Sequence, residues 1–461
     1  MKLISLAALV LLLLIRPALG ANAGESENFD LTPVPVADPA LKYELLFGPA
    51  DQRPGNAALL YGQALMFVND SFADEINHAD DLLYQPDSAA FLAAASKFKE
   101  GATLGLLDLA GRCEDSDWGI PARELGMNAL LPNLNHMRVM ENLLHVVAVY
   151  RMRTGDVPGA LNMIRPGLEL GRDCGREPFL VSGLVGVGIL RDMSEAIGEL
   201  MSRPDSPNLY WALAGLPHPM MDFHKAMEHE RISISSTFHD LNTDRLQDLS
   251  ADQWKSIFKG LVAILNRGGG NAPASQQGWA SDQTVADEVT RNLPEARDYY
   301  ARTFGVSADE AEQVDPFKAV AIFWYGQYEE IVQQQYAIST LPYPMQIALI
   351  DPIGRKLSEL KSGQPANVFV AAAPTLNRAA LTFARCDRVF AALTDVEAIR
   401  SWAAAHGGAL PDSLQQITDT PALDNPRTDK PFDYKVANGT ATLSDPLPEN
   451  LPLTYTIRIR H

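Results

Sequence analysis

Between Val139 and Met201 apolar positions recur every three or four residues, interrupted by short polar breaks. Leu143, Val146, Val147 and Tyr150 fall at i, i+3, i+4 and i+7, which places them on one face of a helix. Thr154-Gly155-Asp156 ends that pattern. Gly155 takes a positive φ at low cost, Asp156 caps the next helix, and Pro158 suits its first turn. Ala160, Leu161, Ile164 and Leu168 form the second apolar face. Phe179 to Leu190 is apolar on all sides but shorter than the ~20 residues that span a bilayer. It predicts a buried central helix, whose Gly183, Gly186 and Gly188 let neighbouring backbones approach; a lipid-contacting hairpin is the alternative. Short helices with one apolar stripe each bury it only by stacking. The expected fold is therefore mainly α: stacked antiparallel helical hairpins forming an α-solenoid-like body.

Similar patterns flank this stretch. Asn56 caps a helix carrying Leu60, Ala64 and Phe67, and Ser88 caps one carrying Phe91, Leu92, Ala95 and Phe98. Residues 217–265 read as helical with a polar face. Helices resume from Ala286 to Leu360 around Phe317, Val320, Ile322, Phe323 and Tyr328, with a break at Leu341-Pro342-Tyr343-Pro344. A long helix follows from Ala372 to His406 through Phe383, Phe390, Leu393, Val396, Ile399 and Trp402, and Gly407-Gly408 ends it. The period then changes to two. FDYKV and TATLS flank Asn438-Gly439, a strong hairpin signal, and LTYTIRI (453–459) supplies a third strand whose arginines mark an exposed side or a charged edge. The predicted C-terminal element is a small antiparallel β-hairpin or three-stranded sheet.

The chain divides accordingly into a signal peptide (1–23), a Pro-rich tether (24–55), a helical-repeat-like body (56–265), a flexible loop (266–283), a helical continuation (284–371), and a long helix plus small β subdomain (372–461). In the first segment Lys2 precedes an apolar run from Leu3 to Ile15, and Ala21-Asn22-Ala23 or Ala18-Leu19-Gly20 offers a small-residue cleavage site. The expectation is export to the periplasm or beyond, with the segment cleaved or kept as an anchor and no transmembrane span in the mature chain.

Composition narrows the partners. The 461 residues are 46% hydrophobic and 21% charged, ordinary for a globular protein, with a formal net charge of −19. That charge argues against nucleic acid or an anionic membrane as the main partner. Three cysteines, Cys113, Cys174 and Cys386, allow either one bridge with a leftover thiol or three buried thiols.

Candidate chemistry is sparse. The chain contains no G-x-S-x-G, H-E-x-x-H, C-x-x-C, Walker or dinucleotide-binding fingerprint, so no cofactor is expected. RGGGN (267–271) lacks the Walker spacing and its lysine. Asp70, Asp74 and His78 share a helix face, as a cation site or as a solvated stripe. His224 and Glu228, spaced by four with His229 adjacent, are the candidate metal ligands, against the plainer reading of a mixed-charge helix face. In RCEDSDWGI (112–120), Asp117 and Trp118 read either as ligand contacts in a cleft or as a turn anchored in the core by the indole. Cys113 beside acids would act as a nucleophile only with a histidine base, for which His136 and His145 are available.

Three resemblances accompany these readings. Gly155, Ala160 and Leu168 match a tetratricopeptide-type unit. Val146-Val147 replaces its Leu-Gly pair, Tyr150 is one residue out of register, Pro166-Gly167 interrupts the second helix, and no second copy follows at the family's period of ~34 residues. CEDSDWGI, LLPNLNHMRVM, TGDVPGALNMI and PFLVSGLVGVGI, in that order, resemble a group of uncharacterised exported bacterial helical-repeat proteins that carry a pseudopilin-like C-terminal piece. The likeness covers about Cys113 to Asp192 and Arg385 to Ile459, and implies architecture and export but no activity. HGGALPDSLQQI and NPRTDKPFDYKV resemble the segment after the long helix of pseudopilins, through Gly408, Pro411, Leu414, Pro426, Lys430-Pro431 and Tyr434. Pseudopilins carry that helix at the N-terminus, so the likeness extends to local fold and not to pilus assembly. The expected function is an exported helical scaffold or binding protein of the cell envelope whose groove takes a protein, peptide or envelope polymer; the alternative is an envelope hydrolase, metal-assisted or not, with its groups dispersed over helices.

Overall fold

The structure, a computed structural model, describes residues 25–85, 88–129, 131, 134–267, 282–362, 367–373, 376–445 and 452–460. The loop expected at 266–283, with its RGGGN motif, and the signal segment lie almost wholly outside the described residues. The fold is mainly helical with a small C-terminal antiparallel sheet. The longer helices are α1 (Ala57–Leu65), α2 (Asp70–Leu83), α3 (Ala102–Gly111), α4 (Leu134–Arg153), α5 (Val157–Arg176), α6 (Leu180–Met201), α7 (Glu228–Thr237), α8 (Ala251–Arg267), α9 (Asp282–Phe304), α10 (Pro316–Ile338), α11 (Tyr343–Ser362) and α12 (Leu376–Ala405).

The centre of the molecule is the run α4–α5–α6. Asp156 accepts a hydrogen bond from Gly159 N at 2.9 Å as the N-cap of α5, and Gly155 takes φ 87°, so the turn expected between the first two helices is formed. Leu143, Val146, Val147, Ile164 and Leu168 are buried, and Tyr150 packs at the margin of the same core. α5 continues through Pro166. Its Gly171 lies so close to α6 that a Cβ there would meet Leu190 Cγ at 2.8 Å, and a Cβ at Gly186 would collide with the Gly171 carbonyl oxygen. Glycines at this crossing therefore set how closely the two helices approach. The succession ends at α6, which packs next against α12 from the far end of the chain.

Two hydrophobic cores result. The larger gathers α1–α6, α12 and the sheet; the smaller gathers α7–α10 and the segment Val368–Ala373 around fully buried Trp254. α11 joins them, with Ile350 in the first core and Leu357 in the second.

The sheet contains more than the C-terminus. Its strands β1 (Glu25–Leu31), β4 (Asp433–Ala437), β5 (Thr440–Ser444) and β6 (Leu453–Ile459) lie in the order β1-β6-β5-β4, while the short β2 (Arg53–Asn56) and β3 (Cys113–Asp115) pair with each other elsewhere. Asn438 and Gly439 both have positive φ, 51° and 72°, as a tight hairpin between β4 and β5 requires. β1 runs parallel to β6, from Glu25 opposite Leu453 to Leu31 opposite Ile459. The segment read as a tether thus supplies an edge strand whose Phe29 and Leu31 are buried, and Leu45 and Phe47 further along it are buried too. Strand 453–459 is interior to the sheet; Arg458 is solvent-facing on it without marking an edge.

Buried arginines fasten this closure. Arg400 on α12 donates to the carbonyls of Thr32 (2.8 Å) and Ser206 (2.9 Å), tying the chain after β1 to the end of α6. Arg388, one of the largest fully buried side chains, pairs with Asp445 at 2.8 Å, where Arg427 also reaches. A guanidinium with five donors can satisfy several carbonyls at once, which makes its burial tolerable. Among the described residues no helix is long and apolar enough to cross a membrane.

Candidate functional site

An open cleft of about 770 Å³ lies over the C-terminal half of α5. Its floor is Arg172, Gly175 and Arg176; one wall is Asn56 with Asp115, Ser116 and Asp117; the other is Pro217, Pro219, Met220, Met221, Asp222 and Lys225.

Local chemistry holds each wall. Asn56 caps α1 through Ala58 N at 3.0 Å, and also accepts from Asp117 N at 2.9 Å and donates to Asp117 O at 2.7 Å. One amide therefore starts a helix and clasps the turn that follows β3. Asp117 Oδ1 accepts from Gly119 N at 2.7 Å, and Gly119 has φ 64°. On the other wall Asp222 caps its short helix through Lys225 N at 3.1 Å, and Met220 N donates to Asp387 of α12 at 2.7 Å.

The floor is a ladder of charges on α5. Arg172 pairs with Glu169 and Arg176 with Asp173, both at 2.8 Å. Asp173 accepts from the buried Tyr61 hydroxyl at 2.7 Å, and Glu169 accepts from Phe47 N at 3.4 Å. Burial raises the Asp173 carboxyl to about 7, against the pull of Arg176 and the Tyr61 hydrogen bond; burial likewise raises Glu169 and Glu177. Two polar atoms here are buried without a hydrogen-bond partner: Ser116 Oγ and Trp118 Nε1.

The two sequence candidates in this turn separate. Asp117 is exposed and borders the cleft. Trp118 is half-buried behind it, stacked on Tyr61 with ring centroids 6.1 Å apart and planes 9° apart, while its backbone N–H donates to Glu177 Oε1 at 3.2 Å. It anchors the turn.

His224 and Glu228 are not brought together as ligands. The chain bends at Met227 between two helices, so the pair does not share one continuous helix. His224 Nδ1 contacts Ser339 Oγ at 2.7 Å and its ring packs on Tyr336; Glu228 takes Lys225 at 3.0 Å; His229 packs on Phe179 and reaches Gly126 O. Among the described residues no group of three or more His, Cys, Asp and Glu could hold a metal ion. Asp70, Asp74 and His78 are exposed along α2. All three cysteines are buried with no disulfide between them. Burial raises the Cys113 thiol, whose Sγ donates to Leu109 O, which disfavours the thiolate a nucleophile needs.

A second charged group sits between α2, α4 and α6, with its acids and His145 buried and its arginines reaching the surface. Arg138 reaches Glu141 (3.3 Å) and Asp192 (3.2 Å), Arg191 reaches Asp192 (2.9 Å), and His145 lies 3.4 Å from Asp80. Burial alone would lower His145, but the Asp80 carboxylate and the charges of Glu141 and Asp192 outweigh it and hold the imidazole up at about 9. Burial drives Glu141 well above the carboxylate range, whereas Arg138 and Arg191 overcome burial and hold Asp192 below it.

Sequence reasoning missed Arg172, Arg176, Ser116 and Lys225. The available signal was the polar stripe Glu169, Arg172, Asp173, Arg176, Glu177 on an otherwise apolar helix. No family model, curated protein or solved structure matches this chain.

Proposed function

We propose that this chain is an exported helical binding protein of the cell envelope, and that the cleft over α5 is where it holds its ligand. The observation that carries the reading is a cleft of small-ligand size that buries the Ser116 hydroxyl on its wall without a partner. Buried hydroxyls are usually satisfied, so an orphan in the wall of a cleft fits a site that closes up around something bound. Export rests on the apolar leader Leu3–Ile15 and its small-residue boundary. The same reading takes α4–α6 as the stacked hairpins of a tetratricopeptide-like body, and the chain as one of the exported bacterial group with a pseudopilin-like C-terminal piece. The test is capture from an envelope extract with the immobilised chain and with its Arg172→Gln variant. The reading expects one enriched component that the variant retains at least tenfold less well. Equal retention by both would remove the cleft from the function.

A further inference from the structure

We infer that the cleft takes a short peptide with free ends, its C-terminal carboxylate on the paired guanidiniums of Arg172 and Arg176 and its ammonium group on the acidic rim of Asp115 and Asp117. The inference rests on the cleft being the binding site and adds what occupies it.

Arg172 and Arg176 are four residues apart on α5, hence neighbours on one face. Each directs Nη1 to a carboxylate three residues earlier, and those carboxylates are themselves held, Glu169 by Phe47 N and Asp173 by the Tyr61 hydroxyl. The forks are thereby fixed in orientation, and among the described residues neither guanidinium makes another hydrogen bond. Two oriented forks with donors remaining suit a planar, two-oxygen anion such as a carboxylate. The opposite wall carries the opposite sign: Asp115 and Asp117 are both exposed, and Asp117 engages only Oδ1 in its turn.

A ligand bearing one charge would satisfy one side and leave the other desolvated. One bearing both charges, a chain length apart, satisfies both. Between the charged walls the lining holds Ser116, whose buried hydroxyl has no partner of its own, and the edges of the largely buried Met220 and Met221, whose flexible thioethers tolerate varied neighbours. A volume of about 770 Å³ suits a few residues and not a folded surface. A neutral glycan fits less well. Sugars stack on open aromatic faces, and Tyr61 here is fully buried and covered by Trp118.

The test is calorimetric titration of the whole chain with trialanine, N-acetyl-trialanine, trialanine amide and the neutral glycan chitotetraose, repeated with Arg172→Gln. The expected result is binding of trialanine that amidation weakens at least tenfold and acetylation about threefold or more. Amidation is then expected to cost little further in Arg172→Gln, because the group it removes has already lost its partner. Because the three peptides differ only at their ends, their comparison on the unaltered chain does not depend on how the variant folds. Equal binding of trialanine and its amide, or binding of chitotetraose alone, overturns the peptide assignment. If no probe binds while capture from extract still depends on Arg172, the peptide class fails and the cleft stands. If no probe binds and capture is indifferent to Arg172, both fall.

Discussion

The cleft over α5 and the buried acidic cluster between α2, α4 and α6 are built from the same kinds of residue, arginines set against carboxylates on helical turns. They differ in what completes them. In the cluster, Arg138 reaches Glu141 and Asp192, Arg191 reaches Asp192 and His145 faces Asp80, all between packed helices; Glu141 is fully buried, and Glu141 Oε1 and Asp80 Oδ1 make no hydrogen bond. In the cleft, each arginine has one internal partner and borders open space. A charge group enclosed between packed helices serves the fold, whereas one bordering a cleft is available to a ligand. The cluster's cost is stability that hinges on every member, because removing one buried ion leaves its partner uncompensated.

That contrast is broken most severely by Arg138→Met. It leaves the fully buried Glu141 without its arginine and Asp192 with Arg191 alone, and is expected to cost about 3 kcal/mol in urea unfolding, the low end for a broken buried pair. Arg176→Met in the cleft should cost ~1–2 kcal/mol, because Asp173 keeps the Tyr61 hydroxyl and is readily protonated. Equal losses at the two sites would erase the distinction. Gly171→Ala, which pushes a Cβ into Leu190 and toward the Gly186 carbonyl, should cost ~1–3 kcal/mol by overpacking between α5 and α6.

Stability should also fall as pH rises. Burial lifts Asp173, Glu230, Asp387 and Glu397 to about 7, so the folded state holds protons that the unfolded chain releases near pH 4. Their contribution is complete below that unfolded value and is lost as pH climbs through 7. His145, held at about 9 against an ordinary 6.5, extends the decline from pH 6.5 to 9 by an amount on the order of 2–3 kcal/mol. Urea midpoints should therefore decrease from pH 4 to 8, where these groups outweigh the opposite effect of the buried His218 and His229; above pH 8 Lys361, lowered by burial to about 8, opposes the decline. His145→Gln should flatten the decline above pH 6.5, whereas Arg176→Gln, which releases Asp173 to rise further, should move the Asp173 part of the decline to higher pH. The smallest effect belongs to Ser116→Ala: its hydroxyl has no partner, so stability should move by less than about 0.5 kcal/mol.

Much of the local structure was legible because local chemistry decides it. Asn56 and Asp156 cap the helices expected of them, Gly407 and Gly408 take positive φ after the long helix, and Asn438-Gly439 turns the hairpin. Pairings between distant segments were not legible. Glu25–Leu31 precedes a Pro-rich stretch, and nothing local announces a partner at Leu453–Ile459. The cleft was half visible, since Asp117 and Trp118 drew attention to one wall. Its floor lies on α5, whose dominant signal is its apolar face, and its second wall begins only at Pro217. His224 and Glu228 were attractive by spacing alone, and the bend at Met227 removes the continuous helix on which that spacing depended.

The most direct test of the central claim uses Ser116→Ala and wild type side by side in capture from envelope extract, with the unfolding midpoint of each measured in parallel. An open site predicts an unchanged midpoint and at least a threefold loss of the captured component. An unchanged midpoint with undiminished capture would contradict it, and would leave the cleft as no more than surface relief over α5.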